Sequence, residues 1–175
     1  MHLESNEIIN RPLADVYKLV RDDLDKLVPY LPNIEKIEVK KHEEIPNNQI
    51  QVINHWYGKA DVPSLLKKLL NPEFYSWKDN ALWKDNEHCV EYELESFLAN
   101  DLFDVKGINS FSSISEDKTE LKISCEVLIY PEKVPGIPRL LAKKVTPMIE
   151  KMIKKLLAPN LTSLGKGINQ YYAEH

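Results

Sequence analysis

The chain has 175 residues, 43% hydrophobic and 29% charged, which suits a globular protein with a good-sized core. Its net charge of −4 argues against nucleic acid as a partner, because phosphate binding needs a basic footprint. No apolar run approaches the ~20 residues that cross a bilayer. Cys89 and Cys125 fit no metal spacing and are too few for a disulfide framework, and the amino terminus lacks an apolar signal core. A cytoplasmic protein is the expectation.

Residues 3–9 read as a first strand. Asn10 is a good helix cap, and Pro12 suits a first helical turn. Leu13, Val16, Tyr17, Val20, Leu24, Leu27 and Val28 then recur at helical spacing until Pro29 and Pro32 break the helix. Leu31 and Ile34 pack in the short piece that follows.

Strands come next in series. Residues 37–42 and 49–59 flank the turn Pro46-Asn47-Asn48. Residues 63–70, PSLLKKLL, read as a short amphipathic helix inserted before Pro72. An aromatic strand covers 74–84, with a break expected near Asn80. In 88–97, Val90, Tyr92 and Leu94 point one way, while Glu91, Glu93 and Glu95 point to solvent. Strands 103–113 and 121–130 are joined by the turn Ser115-Glu116-Asp117-Lys118.

A proline-rich loop, 131–138, leads into a long helical region, 137–172. Leu141, Val145, Met148, Met152 and Leu156 share one face of it, and Lys143, Lys144, Lys151, Lys154 and Lys155 take the other. Pro147 and Pro159 each cost about 3 kcal/mol in a perfect helix interior, so they kink one helix or start new segments. The order is β, two short helices, six strands and a long helix. Short connections favour antiparallel neighbours. The expected class is α+β, with a curved antiparallel sheet of about seven strands around the last helix, in one domain over 1–175.

Asn10-Arg11-Pro12 followed by Val16-Tyr17, then Tyr30-Leu31-Pro32-Asn33-Ile34, then Pro135-Gly136-Ile137-Pro138 with its long helix, resemble the START-like or SRPBCC superfamily. That superfamily includes polyketide cyclases/dehydrases, plant pollen-allergen-type proteins and lipid-transfer domains. The resemblance implies a helix-grip fold with a central cavity for a hydrophobic or amphipathic ligand. It implies no shared catalytic residues. The 63–70 insertion and the two helix prolines depart from the simplest pattern.

Period-two alternation selects the inward face. It places Asn54, Trp56, Tyr75, Trp77, Trp83, Tyr92, Asn109 and Phe111 there, facing Leu141, Val145, Met148 and Met152 of the helix. These are the candidate ligand-binding residues: apolar and aromatic, with a few polar groups, as small-molecule pockets are lined. A filled core has the same pattern.

The catalytic candidates are thin. Asp79 shares the aromatic strand's inward face, where burial would raise its pKa and suit it to general acid work. Lys78-Asp79-Asn80 also reads as a turn, which makes a solvated Asp79 the expectation. His55 points outward by alternation and has no partnered acid or nucleophile. The chain contains no H-E-x-x-H, C-x-x-C, G-x-S-x-G or Gly-rich phosphate loop, so nothing calls for a metal or cofactor. The leading expectation is a non-catalytic carrier or sensor of a small hydrophobic molecule or lipid. The alternatives are a polyketide cyclase/dehydrase-like enzyme and a protein-interaction module. The basic helix fits transient membrane contact as well as docking on the sheet, and docking is the commoner cause.

Overall fold

A computed structural model describes residues 1–59, 76–97, 103–133 and 139–175, apart from some side chains of the last helix. The strands are β1 (His2–Ile9), β2 (Ile34–Ile45), β3 (Gln49–Gly58), β4 (Ser76–Lys84), β5 (Cys89–Ser96), β6 (Phe103–Ser115) and β7 (Lys118–Ile129). They form one curved, open sheet in the order β1-β7-β6-β5-β4-β3-β2, with every neighbouring pair antiparallel. Helix α1 (Leu13–Asp22) and a 3-10 helix (Leu24–Tyr30) connect β1 to β2, and α2 (Arg139–Glu174) closes the chain. This is the α+β helix-grip arrangement. The expected helix at 63–70 lies outside the described residues.

Local chemistry explains the turns. The β2–β3 turn places Asn47 and Asn48 at φ 68° and 55°, left-handed values that asparagine tolerates. Helix α1 starts behind Pro12, which occupies the cap position without a side-chain cap. Asn10, the expected cap, instead donates its backbone N–H to Asn169 Oδ1 at 3.2 Å. The Asn169 amide returns a bond to the Ile8 carbonyl at 2.8 Å, so α2 satisfies the end of β1.

One expectation is corrected here and one alternative is decided. Strand β4 runs unbroken through Asn80, because every residue from Trp77 to Lys84 keeps a partner on both β3 and β5. Helix α2 is also one element, with Pro147 and Pro159 inside it. Proline there removes a main-chain donor. Behind Pro159, the Thr162 hydroxyl donates to the Pro159 carbonyl at 3.1 Å.

One end of the concave face is solidly packed. Ile9, Val16, Leu27, Leu121 and Ile168 are sealed from solvent, and Leu161, Leu164, Tyr171 and Tyr172 of α2 pack against the same core. Close approach of α2 to β1 depends on Gly165, since a Cβ there would run into the Cβ and Cγ of Glu7. Tyr17 of α1 presents its ring edgewise to Trp83 and Phe111, at centroid distances of 5.2 and 5.4 Å. Each large apolar side chain buried in this way contributes about 1.5–3 kcal/mol.

Candidate ligand-binding site

The other end of the concave face is built from β3 and β4. Trp56 and Trp77 are direct partners in the register, and their rings stack at 5.6 Å with planes 14° apart. Both indoles remain only partly buried. The next inward pair is Asn54 and Asp79, again directly opposite each other. Trp56 Nε1 donates to Asp79 Oδ2 at 3.3 Å, and the Asn54 side chain hydrogen-bonds the same carboxyl.

Asp79 therefore faces inward, not into solvent as the Lys78-Asp79-Asn80 composition suggested. Strand pairing on both sides overrides the local turn preference. The residue keeps some exposed surface, but its Oδ1 is enclosed and has no hydrogen-bond partner. Burial pushes its pKa up to about 6, against the smaller opposing pull of the Trp56 and Asn54 hydrogen bonds. Asn54, 4% exposed, and Asn109 likewise hold buried Oδ1 atoms without partners. Nearly all buried polar groups in folded proteins are satisfied, so the adjacent unpartnered oxygens of Asn54 and Asp79 mark a place where solvent or a ligand belongs, while Asn109 lies apart, opposite Val90 and Ile123.

The remaining candidates divide. Trp83 and Phe111 stack at 6.0 Å and belong to the packed end with Tyr17. Tyr92 lies over Gly107, where a Cβ would collide with its phenol carbon, its hydroxyl and the Ser124 carbonyl. Its hydroxyl donates to that carbonyl at 3.3 Å, and burial holds its pKa far above the usual phenol range. The ring thus lines the concave face while its polar end is spent on β7. Alternation could not show this use of Gly107. Tyr75 and the side chains of Leu141, Val145, Met148 and Met152 lie outside the described residues.

His55 stands on the convex face, as alternation required. It sits between Glu38 and Lys78 in the register and meets the Phe97 ring at 5.1 Å. Partial burial and the nearby Lys40 lower its pKa. Among the described residues no group of three or more His, Cys, Asp or Glu gathers to hold a metal ion. No helix among them is long and apolar enough to cross a membrane. Hollows of about 620 Å³ beside Asn6, Ile108 and Lys122, and of about 370 Å³ beside Tyr30 and Lys166, contain none of the unpartnered buried atoms.

No family model and no curated protein matches the sequence. Solved structures do match the fold. The Zhui aromatase/cyclase from Streptomyces sp. R1128 superposes with a TM-score of 0.65 at 14% identity, covering 95% of this chain and 93% of that one. Norcoclaurine synthase from Thalictrum flavum gives 0.60 at 18% identity, covering 100% and 87%. A START superfamily protein from Mycobacterium smegmatis gives 0.55 at 13% identity, covering 97% of each chain. The chain has the START-like, or SRPBCC, fold.

Proposed function

We propose that this chain binds a small hydrophobic or lipid-like molecule on its concave face, between the Trp56–Trp77 stack and α2. One observation carries the reading: two stacked, half-buried indoles stand beside the buried oxygens of Asn54 and Asp79, which have no hydrogen-bond partner among the described residues. A filled core would pair such acceptors. The START-like fold supports it, since an aromatase/cyclase and a norcoclaurine synthase solved in complex with dopamine and hydroxybenzaldehyde share the fold. Native mass spectrometry of gently purified protein, followed by extraction and identification of any adduct, tests it. A stoichiometric small molecule supports binding. A bare mass, with no saturable uptake from a panel of lipids and hydrophobic dyes, sinks it.

A second reading has its own support in Asp79. A buried carboxyl that titrates near pH 6 can accept and return a proton at neutral pH, as a cyclase acting on a polyketide-like substrate requires. Its test is single-turnover cyclisation of a polyketide surrogate by the protein and by Asp79→Asn. Equal rates would remove Asp79 from any chemistry.

The outer stripe of α2 offers a surface through which a lipid would be passed to the concave face. Leu140, 93% exposed, is followed at helical spacing by exposed Lys144, Pro147, Lys151 and Lys154. An apolar tip on a basic stripe suits brief contact with an anionic bilayer surface. Co-sedimentation with anionic but not neutral vesicles is the expected result, and equal behaviour with both overturns this membrane step.

A further inference from the structure

Resting on the ligand-binding reading, we infer that the bound molecule presents a hydrogen-bond donor, a hydroxyl or an amine, to the Asn54–Asp79 pair while its apolar body covers the Trp56–Trp77 stack. Asp79 offers two carboxyl oxygens, and Trp56 Nε1 occupies Oδ2 at 3.3 Å. Oδ1 is buried and has no partner. The Asn54 amide is turned towards Asp79, which leaves its own Oδ1 buried and unpartnered as well. The site's unmet demand is therefore entirely for donors.

That demand excludes whole classes of hydrophobic molecule. A pure hydrocarbon leaves both oxygens unsatisfied. A fatty acid or other carboxylate brings a second anion against Asp79, which is repulsive at close range in a desolvated site. A protonated amine has donors enough for both oxygens, a phenol or an alcohol has one for either of them, and each lays its apolar part on the indoles. For a cationic amine the ring faces add a further attraction. Asn109 Oδ1, two strands away on β6, repeats the preference for a donor at a second point. On the spacing of strands and residues it lies roughly 15 Å from Asp79 along the sheet.

The experiment uses four molecules with one apolar body: naphthalene, 2-naphthol, 2-naphthylmethylamine and 2-naphthoate. Each is measured by equilibrium dialysis at pH 8 against the full chain, against Asp79→Asn, and against His55→Gln as a convex-face control. The naphthol and the amine are expected to bind at least about tenfold more tightly than naphthalene, with naphthoate weakest. The naphthol-to-naphthalene ratio is expected to fall towards one in Asp79→Asn and to stay at the parent value in His55→Gln. Equal binding of naphthalene and the donor molecules, or tightest binding of naphthoate, overturns the donor inference while leaving a binding protein. An unchanged ratio in Asp79→Asn takes the donor site away from this carboxyl. Failure of all four molecules to bind the parent chain overturns the binding reading itself. The comparison among molecules on the parent chain decides the matter even without a folded variant.

Discussion

At one end of the concave face Ile9, Val16, Leu27, Leu121 and Ile168 close into a core with no solvent contact, held between α1, the 3-10 helix and the last turns of α2. At the other end Asn54 and Asp79 bury oxygens that have no hydrogen-bond partner among the described residues, beside indoles that are only partly buried. The same sheet supports both. The first end is closed apolar packing with one unpartnered amide oxygen, that of Asn109, at its margin, and the second sets two such oxygens side by side. Natural sequences keep such violations where function requires them and offset the cost elsewhere. The packed end supplies that offset, so variants at the two ends should move stability in opposite directions.

The largest effect belongs to the packed end. Leu27→Ala removes a fully buried side chain from between the 3-10 helix and the sheet. It should cost about 2–5 kcal/mol, read as a lower urea midpoint. A loss under about 1 kcal/mol would mean that this end is not the stable anchor.

Asp79→Asn should do the reverse. The folded-state pKa of about 6 lies above the ordinary value of 3.8. Between those values the folded protein binds more protons than the unfolded chain, so stability falls as pH rises through the window. The cost is fully present above about pH 6, and two pH units correspond to up to about 3 kcal/mol. Asparagine keeps an acceptor for Trp56 and carries no charge. The variant should therefore be more stable than the parent at pH 8 and indistinguishable from it below about pH 4. Thermal melts at both values check this, and a loss of stability at pH 8 would show that the carboxylate is not strained by burial.

Asp79 also shows where the sequence was legible and where it was not. Alternation placed it inward with Trp77, Ala81 and Trp83, and strand pairing bears that out. Its neighbours Lys78 and Asn80 argued for a turn, because local composition carries no information about partners supplied by distant strands. The order of elements, the antiparallel sheet and the outward His55 were all readable from periodicity. The passage of Tyr92 over Gly107 was not, since it joins three strands through one missing side chain. The Tyr17–Asp85 contact joins residues 68 positions apart, and no local pattern encodes it.

Gly107→Ala tests that crossing. The new methyl would meet the Tyr92 phenol and the Ser124 carbonyl, and only the side chain can yield. Overpacking of this kind costs about 1–3 kcal/mol. Because Tyr92 lies between the two ends, its displacement should also weaken uptake of the naphthalene series. An unaltered melting temperature would mean that the sheet opens here with ease.

The smallest expected effect returns to the packed end and separates its apolar packing from its polar rim. Tyr17 donates its hydroxyl to Asp85 Oδ1 at 3.0 Å, and Arg21 Nη1 holds Oδ2 of the same carboxylate at 2.8 Å. Burial and the Asp85 hydrogen bond together raise the Tyr17 pKa well beyond the ordinary phenol value, which keeps the hydroxyl a donor at neutral pH. Tyr17→Phe keeps the ring against Trp83 and Phe111 and leaves Asp85 its guanidinium partner. The loss should be about 1 kcal/mol, the usual worth of one hydrogen bond whose acceptor stays satisfied. Leu27→Ala should exceed it severalfold. A Tyr17→Phe loss equal to that of Leu27→Ala would place the strength of this end in its polar rim, and the contrast with the Asp79 end would then be one of pairing, not of polarity.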